Sequence, residues 1–191
     1  MKGHTDTVNQ IKFSTNDENI FLSCSSDKVL KLWDLRVSKS IKSEKTKGGC
    51  KNMAWNSDSS MFGFSNKDDE LITVYDMNKF TPVKQIEFKN KINEFEFDKI
   101  NKYLLVTSIS GNVQVIDSKT LDPSPILNIE AHFPPVNTIN IDKSNRLFAT
   151  GAADALICIW NMNEMLCQNV IKKGELPIRK IVFSHDSNII A

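Results

Sequence analysis

Residues 132–161 place a histidine, a threonine and an aspartate where a hydrolase triad could form. In that chemistry a hydroxyl attacks, an imidazole takes its proton and a carboxylate orients the imidazole. His132, Thr150 and Asp154 carry those three groups, and Trp160 follows in the same apolar stretch. Two interpretations are open: a catalytic site, or buried polar groups that hold the fold together.

The same set of residue types occurs twice in the chain. Asp27 comes four residues after Ser23, and Trp33 comes six residues after Asp27. The second set has the same two spacings; the sets are His4, Ser23, Asp27, Trp33 and His132, Thr150, Asp154, Trp160. A catalytic site is rarely duplicated with its spacings intact, whereas a closed polar network that fixes strand arrangement recurs in every repeat. We therefore predict two structural tetrads and no catalytic residues.

Two weaker copies lie between the complete ones. Ser65, Asp69 and Tyr75 keep the spacings of four and six and are predicted to form a partial tetrad. The next copy has Val106, Ser110 and Ile116 at the key positions, so the network is expected to be lost there. The tryptophan-equivalent positions 33, 75, 116 and 160 are 42, 41 and 44 residues apart, which indicates an internal repeat.

Each repeat contains four short β-type runs separated by turn residues. In the first repeat the runs are VNQIKFS, IFLSCS, VLKLWD and SIKSEK. A four-stranded antiparallel unit that recurs at this period is typical of a β-propeller blade, so the predicted fold class is all-β. We predict one propeller domain over 1–191, with repeats at about 1–45, 46–89, 90–130 and 131–173 and a truncated fifth at 174–191.

Composition narrows the class of function. The chain has 191 residues, 40% hydrophobic and 25% charged, with a net charge of +1, so nothing demands a nucleic acid or a membrane as partner. No run is apolar enough to cross a bilayer. The cysteines lie in or beside apolar runs without C-x-x-C spacing, and we expect reduced core thiols and no metal site; they are Cys24, Cys50, Cys158 and Cys167.

A pair of carboxylates is the other candidate for acid–base chemistry. Glu94 and Glu96 share one face of a predicted strand because side chains alternate along a strand. The aligned residues elsewhere are Gln10/Lys12 and Thr138/Asn140, which favours an exposed polar face over a catalytic pair. With no phosphate loop or metal-binding motif, the sequence predicts a binding protein without cofactors or a small-molecule substrate.

Gly3-His4 before the first strand and Trp33-Asp34 at the end of the third resemble the WD-repeat family. The resemblance implies that the His, Ser/Thr, Asp and Trp of a repeat form a hydrogen-bonded tetrad. It also implies a propeller of seven blades, of which this chain would hold four and the start of a fifth. The sequence is accordingly expected to be a fragment of a longer protein.

Longer segments are similar to one branch of that family. TKGGCKNMAWNSDSSMFGFSNKDDELITVYD, FKNKINEFEFD and FATGAADALICIWNMNEMLCQNVI, followed by LPIRKIVFSHDSNIIA, resemble the WD-repeat subunits of the THO complex, which joins the transcription-export assembly. The resemblance implies a nuclear, non-catalytic scaffold that couples transcription and mRNA processing to mRNA export. Its expected partners are other subunits of that complex, with RNA reached through the assembly.

Loop residues on one face of the blades are the candidate protein contacts. Phe133 is the strongest of them, because an exposed aromatic side chain suits an interface; the alternative is that it packs on its own blade. The set is Asp6, Lys28, Lys67, Glu70, Phe133, Pro134 and Glu175.

Two other functions stay open from the sequence. WDLR at 33–36 resembles the W-D-x-R pattern of WD-repeat substrate receptors of cullin-RING ubiquitin ligases. A reader of modified histone tails is the third class, and it needs an acidic or aromatic pocket that the sequence does not identify.

Overall fold

The computed structural model describes residues 3–37, 39–67, 70–133, 135–172 and 174–191. The chain divides into two compact units, residues 1–89 and 90–191. No helix in the described segments is long and apolar enough to cross a membrane. Asp69 and Pro134, both singled out from the sequence, lie outside the described residues.

The first unit contains two four-stranded sheets. Their strands follow chain order, β1-β2-β3-β4 and β5-β6-β7-β8, and all neighbours are antiparallel. The strands are β1 Val8–Phe13, β2 Ile20–Ser25, β3 Val29–Asp34, β4 Ser40–Lys45, β5 Cys50–Trp55, β6 Met61–Asn66, β7 Leu71–Asp76 and β8 Thr81–Glu87.

The second unit repeats the same plan in two further sheets. Neighbouring strands are again antiparallel and sequential, β9-β10-β11-β12 and β13-β14-β15-β16. The strands are β9 Ile92–Phe97, β10 Tyr103–Ser108, β11 Asn112–Asp117, β12 Leu127–Glu130, β13 Val136–Ile141, β14 Leu147–Ala152, β15 Leu156–Asn161 and β16 Cys167–Lys172. These four sheets confirm the predicted all-β fold of four-stranded antiparallel units, and they are called blades 1 to 4 below.

In the first unit, blade 1 packs against blade 2 through alternate side chains. Blade 1 contributes Leu22, Leu30 and Leu32, all fully buried. Blade 2 presents a largely aromatic face to them, composed of Met53, Trp55, Phe62, Phe64 and Tyr75. The alternation along the strands thus directs one set of side chains from each of these two sheets into the contact between blades 1 and 2.

The second unit has the same packing, followed by a further segment. Leu105, Val113 and Val115 of blade 3 contact a blade 4 face that includes Phe148 and Trp160. The other face of blade 4 is covered by residues 178–190, where Ile181 is fully buried. This segment folds back on itself, with Phe183 bridged to Ile190.

Two expectations about exposure are wrong. Cys24, Cys50 and Cys158 are buried, but Cys167 on the edge strand β16 is exposed. Glu94 and Glu96 are only 6% and 9% exposed, so they do not form an exposed polar face. Their burial arises because β9 lies beside β13 of the next blade, a neighbour that strand periodicity does not reveal.

Candidate functional site: the blade tetrads and the loops beside them

Blade 1 brings its four predicted polar residues into one hydrogen-bonded chain. His4 Nδ1 lies 2.9 Å from Asp27 Oδ2, and His4 Nε2 lies 2.6 Å from Ser23 Oγ. The Trp33 indole donates to the same Ser23 oxygen at 2.7 Å. With His4 Nδ1–H donating to the Asp27 carboxylate and His4 Nε2 accepting the Ser23 hydroxyl proton, both histidine nitrogens, the serine hydroxyl and the indole N–H of this tetrad have hydrogen-bond partners.

Blade 4 repeats this geometry with threonine in place of serine. His132 Nδ1 lies 2.9 Å from Asp154 Oδ2, and His132 Nε2 lies 2.9 Å from Thr150 Oγ1. The Trp160 indole donates to Thr150 Oγ1 at 2.9 Å. The loop before β13, strand β14, the turn between β14 and β15, and strand β15 are thereby joined in one hydrogen-bonded network.

The tetrad differs from a hydrolase triad in the surroundings of its hydroxyl. A nucleophile needs a free face toward the substrate. Ser23 is 3% exposed and Thr150 is fully buried, and an indole N–H already occupies the oxygen of each. The arrangement suits a structural clamp, because a fully satisfied polar network specifies one packing of the strands.

A cleft of about 630 Å³ lies beside the blade 1 tetrad. Apolar side chains dominate its lining, among them Ile11, Phe21 and Leu35. In blade 2 the equivalent sheet face packs on blade 1, and in blade 4 it packs on blade 3. The cleft is therefore the uncovered counterpart of a blade-packing face rather than a substrate pocket.

The Asp27 carboxylate gives the tetrad a pH dependence. Burial raises the pKa of Asp27, but hydrogen bonds from Thr5 N–H, His4 and Ser25 outweigh it and hold that pKa below its usual value. A depressed folded-state pKa contributes stability above the unfolded-state pKa of about 3.9, and this contribution is lost as the pH falls through the folded-state pKa.

We expect Asp27→Asn to reduce the dependence of the free energy of unfolding on pH below neutrality. The free energies of unfolding of the parent protein and of the variant should be measured by urea titration between pH 3 and pH 7. The difference between them should be largest near neutral pH and shrink as the solution is acidified. A difference independent of pH would contradict the role of the ionised carboxylate.

Blade 2 does not bring together Ser65 and Tyr75 of the predicted partial tetrad, and Asp69 lies outside the described residues. Its register pairs Met53 with Phe64 and Phe64 with Thr73, as Ile11 pairs with Ser23 and Ser23 with Lys31 in blade 1. Phe64 therefore occupies the serine position and packs on Tyr75, with ring centroids 5.6 Å apart. A shift of one residue turns a side chain to the opposite sheet face, so Ser65 points away from Tyr75.

Ser65 has no role in a polar network of the described residues. Its Oγ is buried without a hydrogen-bond partner in that part of the chain. Blade 2 is instead held by aromatic contacts in which Phe62 stacks on Tyr75 at 5.4 Å and meets Trp55 edge-on at 5.5 Å. In blade 3, Val106 and Ile116 are buried at the serine and tryptophan positions, and Ser110 bonds to the Ser108 hydroxyl at 2.7 Å.

Side chains of the first strand of a blade bond to the next blade, and these contacts were not recognised from the sequence. Glu94 and Glu96 accept hydrogen bonds from the backbone N–H groups of Ile139 and Ile141 at 3.2 and 3.3 Å. The same relation recurs at other blade steps, with Met53 N–H donating to Gln10, Ile181 N–H to Thr138 and Phe183 N–H to Asn140. The sequence signal that could have revealed these contacts is that the aligned strand positions carry polar residues in each of these repeats.

Asparagine at the second position of β1, β9 and β13 forms another contact with the segment that follows. Asn9 donates to the Cys50 carbonyl at 2.7 Å, and Asn93 donates to the Val136 carbonyl at 2.9 Å. In the final step Asn137 donates to the Ile178 carbonyl at 2.9 Å. Together with the side-chain acceptors described above, these contacts hold β1 beside β5, β9 beside β13, and β13 beside residues 178–183 without a backbone ladder between them.

The candidate protein contacts fall in loops of the two units. Asp6, Lys28, Lys67 and Glu70 are exposed in the first unit, and Glu175 is exposed in the second. Phe133 has a relative exposure of 102%, so its ring does not pack on its own blade. The backbone beside it is anchored, because Ala131 N–H and His132 N–H both donate to the Gly111 carbonyl.

The described residues contain no group of three or more His, Cys, Asp or Glu side chains that could hold a metal ion. Burial raises the pKa of the Cys158 thiol to about 12, with the neighbouring Cys167 adding to the effect. Such a thiol is a poor nucleophile at neutral pH. The chemistry that the site offers is hydrogen bonding within the blades and contact through the loops.

Comparison with known proteins agrees with the blade geometry. The family model "WD domain, G-beta repeat" matches residues 1–34 and 123–161, which include both complete tetrads. Residues 1–34 and 123–161 therefore carry WD repeats, and the four antiparallel sheets have the four-stranded form of propeller blades.

Particular relatives resemble the chain over most of its length. THO complex subunit 3 of Arabidopsis thaliana is 32% identical over 191 residues, which is 100% of this chain and 60% of the relative. WD repeat-containing protein AAC3 of Dictyostelium discoideum is 24% identical, covering 97% of this chain and 40% of the relative. Histone acetyltransferase type B subunit 2 of Candida glabrata is 28% identical, covering 82% and 41%. The chain spans between two fifths and three fifths of these relatives.

Proposed function

We propose that this chain is part of a non-catalytic scaffold subunit of the THO and transcription-export assembly in the nucleus. The supporting observation is its 32% identity to THO complex subunit 3 across all 191 residues, which include the two blades without a tetrad. In this role the blades present loops to other subunits and thereby couple transcription and mRNA processing to mRNA export. RNA is reached through those partners, and no cofactor or small-molecule substrate takes part.

The loop surface around Phe133 is the proposed contact with a partner subunit. Its ring is in solvent, while the tetrad fixes His132 on one side and the Gly111 carbonyl anchors the backbone. Leu176, in the loop that precedes residues 178–190, is 80% exposed. A rigidly presented aromatic residue is a favourable anchor for an interface because little entropy is lost on binding.

Affinity purification of the protein, tagged in its own cells, tests the proposal. We expect the large subunits of the THO complex to be recovered with it, and depletion of the protein to cause poly(A) RNA to accumulate in nuclei. Purifications that consistently lack those subunits would contradict the assignment.

The same purification separates this function from the ligase-receptor alternative. That alternative requires Arg36 to contact a ligase adaptor, yet its guanidinium already donates to Asp34 at 2.7 and 2.8 Å. Recovery of a ligase adaptor that is lost in Arg36→Ala would favour the receptor. Under the proposed function, Arg36→Ala leaves recovery of the THO subunits unchanged.

A further inference from the structure

Three consecutive turns of the second unit lie side by side. They join the first and second strands at residues 98–102 and 142–146 and recur at 184–188. Each has one residue of positive φ at the same position, with values of 55° at Asn101, 58° at Asn145 and 61° at Ser187. The Lys99 N–H donates to Asn145 Oδ1 at 2.9 Å, and Lys143 Nζ contacts His185 Nε2. The three turns therefore form a continuous row.

This row is rich in basic side chains at equivalent positions. The second and fifth residues of the turns are basic in blades 3 and 4, whereas the equivalent residues of blade 2 are Ser57 and Ser60. Of the lysine and arginine side chains, Lys102, Lys143 and Arg146 are exposed. None of these three takes part in an ion pair within the described part of the chain. The row consists of Lys99, Lys102, Lys143, Arg146 and His185.

The carboxylates in and beside the row are either buried or bonded to groups of the protein. Asp98 and Asp142 are fully buried and accept hydrogen bonds from the backbone of their own turns. Glu96 is paired with Lys99 at 2.8 Å. The exposed Asp186 bonds to Ser184 and Asn188 in its own turn. The outward charge of the row is consequently positive, although the whole chain has a net charge of only +1.

Apolar side chains accompany these cations. Ile100 is 63% exposed within the first turn, and Ile189 is 65% exposed just after the third. An aromatic platform is needed to stack bases of single-stranded RNA, but Lys102 covers the one candidate ring, Tyr103, at 4.6 Å. Cations interleaved with aliphatic side chains match an acidic segment that carries its own apolar residues.

We propose that this basic row binds an acidic, leucine-containing segment of a partner protein. Carboxylates of the segment pair with Lys102, Lys143 and Arg146, and its apolar side chains cover Ile100 and Ile189. The row is a different surface from the Phe133 loop. Its occupancy does not depend on which assembly the protein joins.

Fluorescence anisotropy with defined probes tests this inference on the full chain. The first probe is a labelled 16-residue peptide of repeated Glu-Glu-Leu-Asp, and the second replaces each Leu by Ser. The third is a 16-nucleotide oligouridylate. We expect the leucine-containing peptide to bind most tightly and more weakly as salt is raised, since exposed charges are screened.

Charge reversal in the row provides the decisive comparison. K102E/R146E is expected to weaken binding of the leucine-containing peptide at least about tenfold, and K102Q/R146Q by less. The control K45E/K79E changes the net charge equally at exposed positions of the first unit and should bind as the parent chain does. Thermal melting of all variants verifies that they are folded.

Two results would overturn the proposal. One is equal peptide affinity for the row variant and the control. The other is tighter binding of the oligouridylate than of either peptide with loss in the row variants, which would make the row a nucleic-acid site. Because these assays use purified protein and synthetic probes, their failure is distinct from absence of THO subunits in the cellular purification.

Discussion

Thr150→Val is expected to lower the free energy of unfolding by about 2–4 kcal/mol, since it leaves two buried polar atoms unpaired at about 1–3 kcal/mol each. The hydroxyl is fully buried, accepts the Trp160 indole N–H and bonds to His132 Nε2. Valine has nearly the shape of threonine, and blade 3 already carries Val106 at the equivalent position. The loss should appear in urea unfolding of the full chain and as faster hydrogen exchange in β14.

Two further variants isolate the hydroxyl from the shape of the side chain. Thr150→Ser keeps the oxygen, as Ser23 does in blade 1, and should cost much less than the valine variant. Adding Trp160→Phe to Thr150→Val removes one of the two unpaired groups, so the combined loss should be smaller than the sum of the single losses. Additive losses would mean that the hydroxyl and the indole are not coupled.

Phe64→Ala is expected to destabilise the first unit by about 3–5 kcal/mol, the usual cost of truncating a buried phenylalanine. Phe64 is 5% exposed and lies in the cluster that joins blades 1 and 2. Phe64 stands at the position that Ser23 has in the blade 1 tetrad, and its ring contacts the ring of Tyr75. The same urea titration, with hydrogen exchange of β6 and β7, measures the effect.

Ser65→Ala is the matched control beside it. The Ser65 hydroxyl is buried without a partner among the described residues, so its removal should change stability by less than about 0.5 kcal/mol or improve it. A partial tetrad through Ser65 would instead make this substitution costly. A loss above about 1 kcal/mol would therefore favour the sequence-derived alignment over the register of the structure.

The strand pattern and the complete tetrads could be inferred from the sequence because both are local or repeated. Alternating apolar residues define the strands. Two copies of the same Ser/Thr–Asp–Trp spacing, preceded by a histidine 19 residues before Ser23 and 18 residues before Thr150, pointed to the hydrogen bonds that join His4 to Ser23 and His132 to Thr150. A repeated pattern indicates a structural role because the same residue types form the same hydrogen bonds in each blade that contains them.

In blade 2 the spacing of residues along the chain wrongly predicts which side chain faces Tyr75. Ser65 stands where a count along the chain puts a tetrad serine, but the connection between β6 and β7 is one residue longer than in blade 1. Since strand periodicity is two, that single residue moves Ser65 to the other face and leaves Phe64 beside Tyr75. Only the pairing of β6 with β7 distinguishes the two arrangements.

Strand periodicity alone does not predict the contacts between blades. Glu94 and Glu96 alternate with buried phenylalanines, which is also the pattern of a solvent-facing row. They are buried because β13 supplies N–H groups that need acceptors and because Lys180 and Lys99 meet their other oxygens. Which strand lies beside β9 is a property of the tertiary fold.

In the proposed function the tetrads stabilise the blades, whereas exposed loop residues such as Phe133 bind partner subunits. Quantitative mass spectrometry of the complexes recovered with tagged Phe133→Ser protein separates these two roles. We expect a melting temperature equal to that of the parent chain, together with a loss of partner subunits that corresponds to about 2 kcal/mol, or roughly thirtyfold in affinity. Full recovery of the partner subunits by the folded Phe133→Ser protein would contradict it.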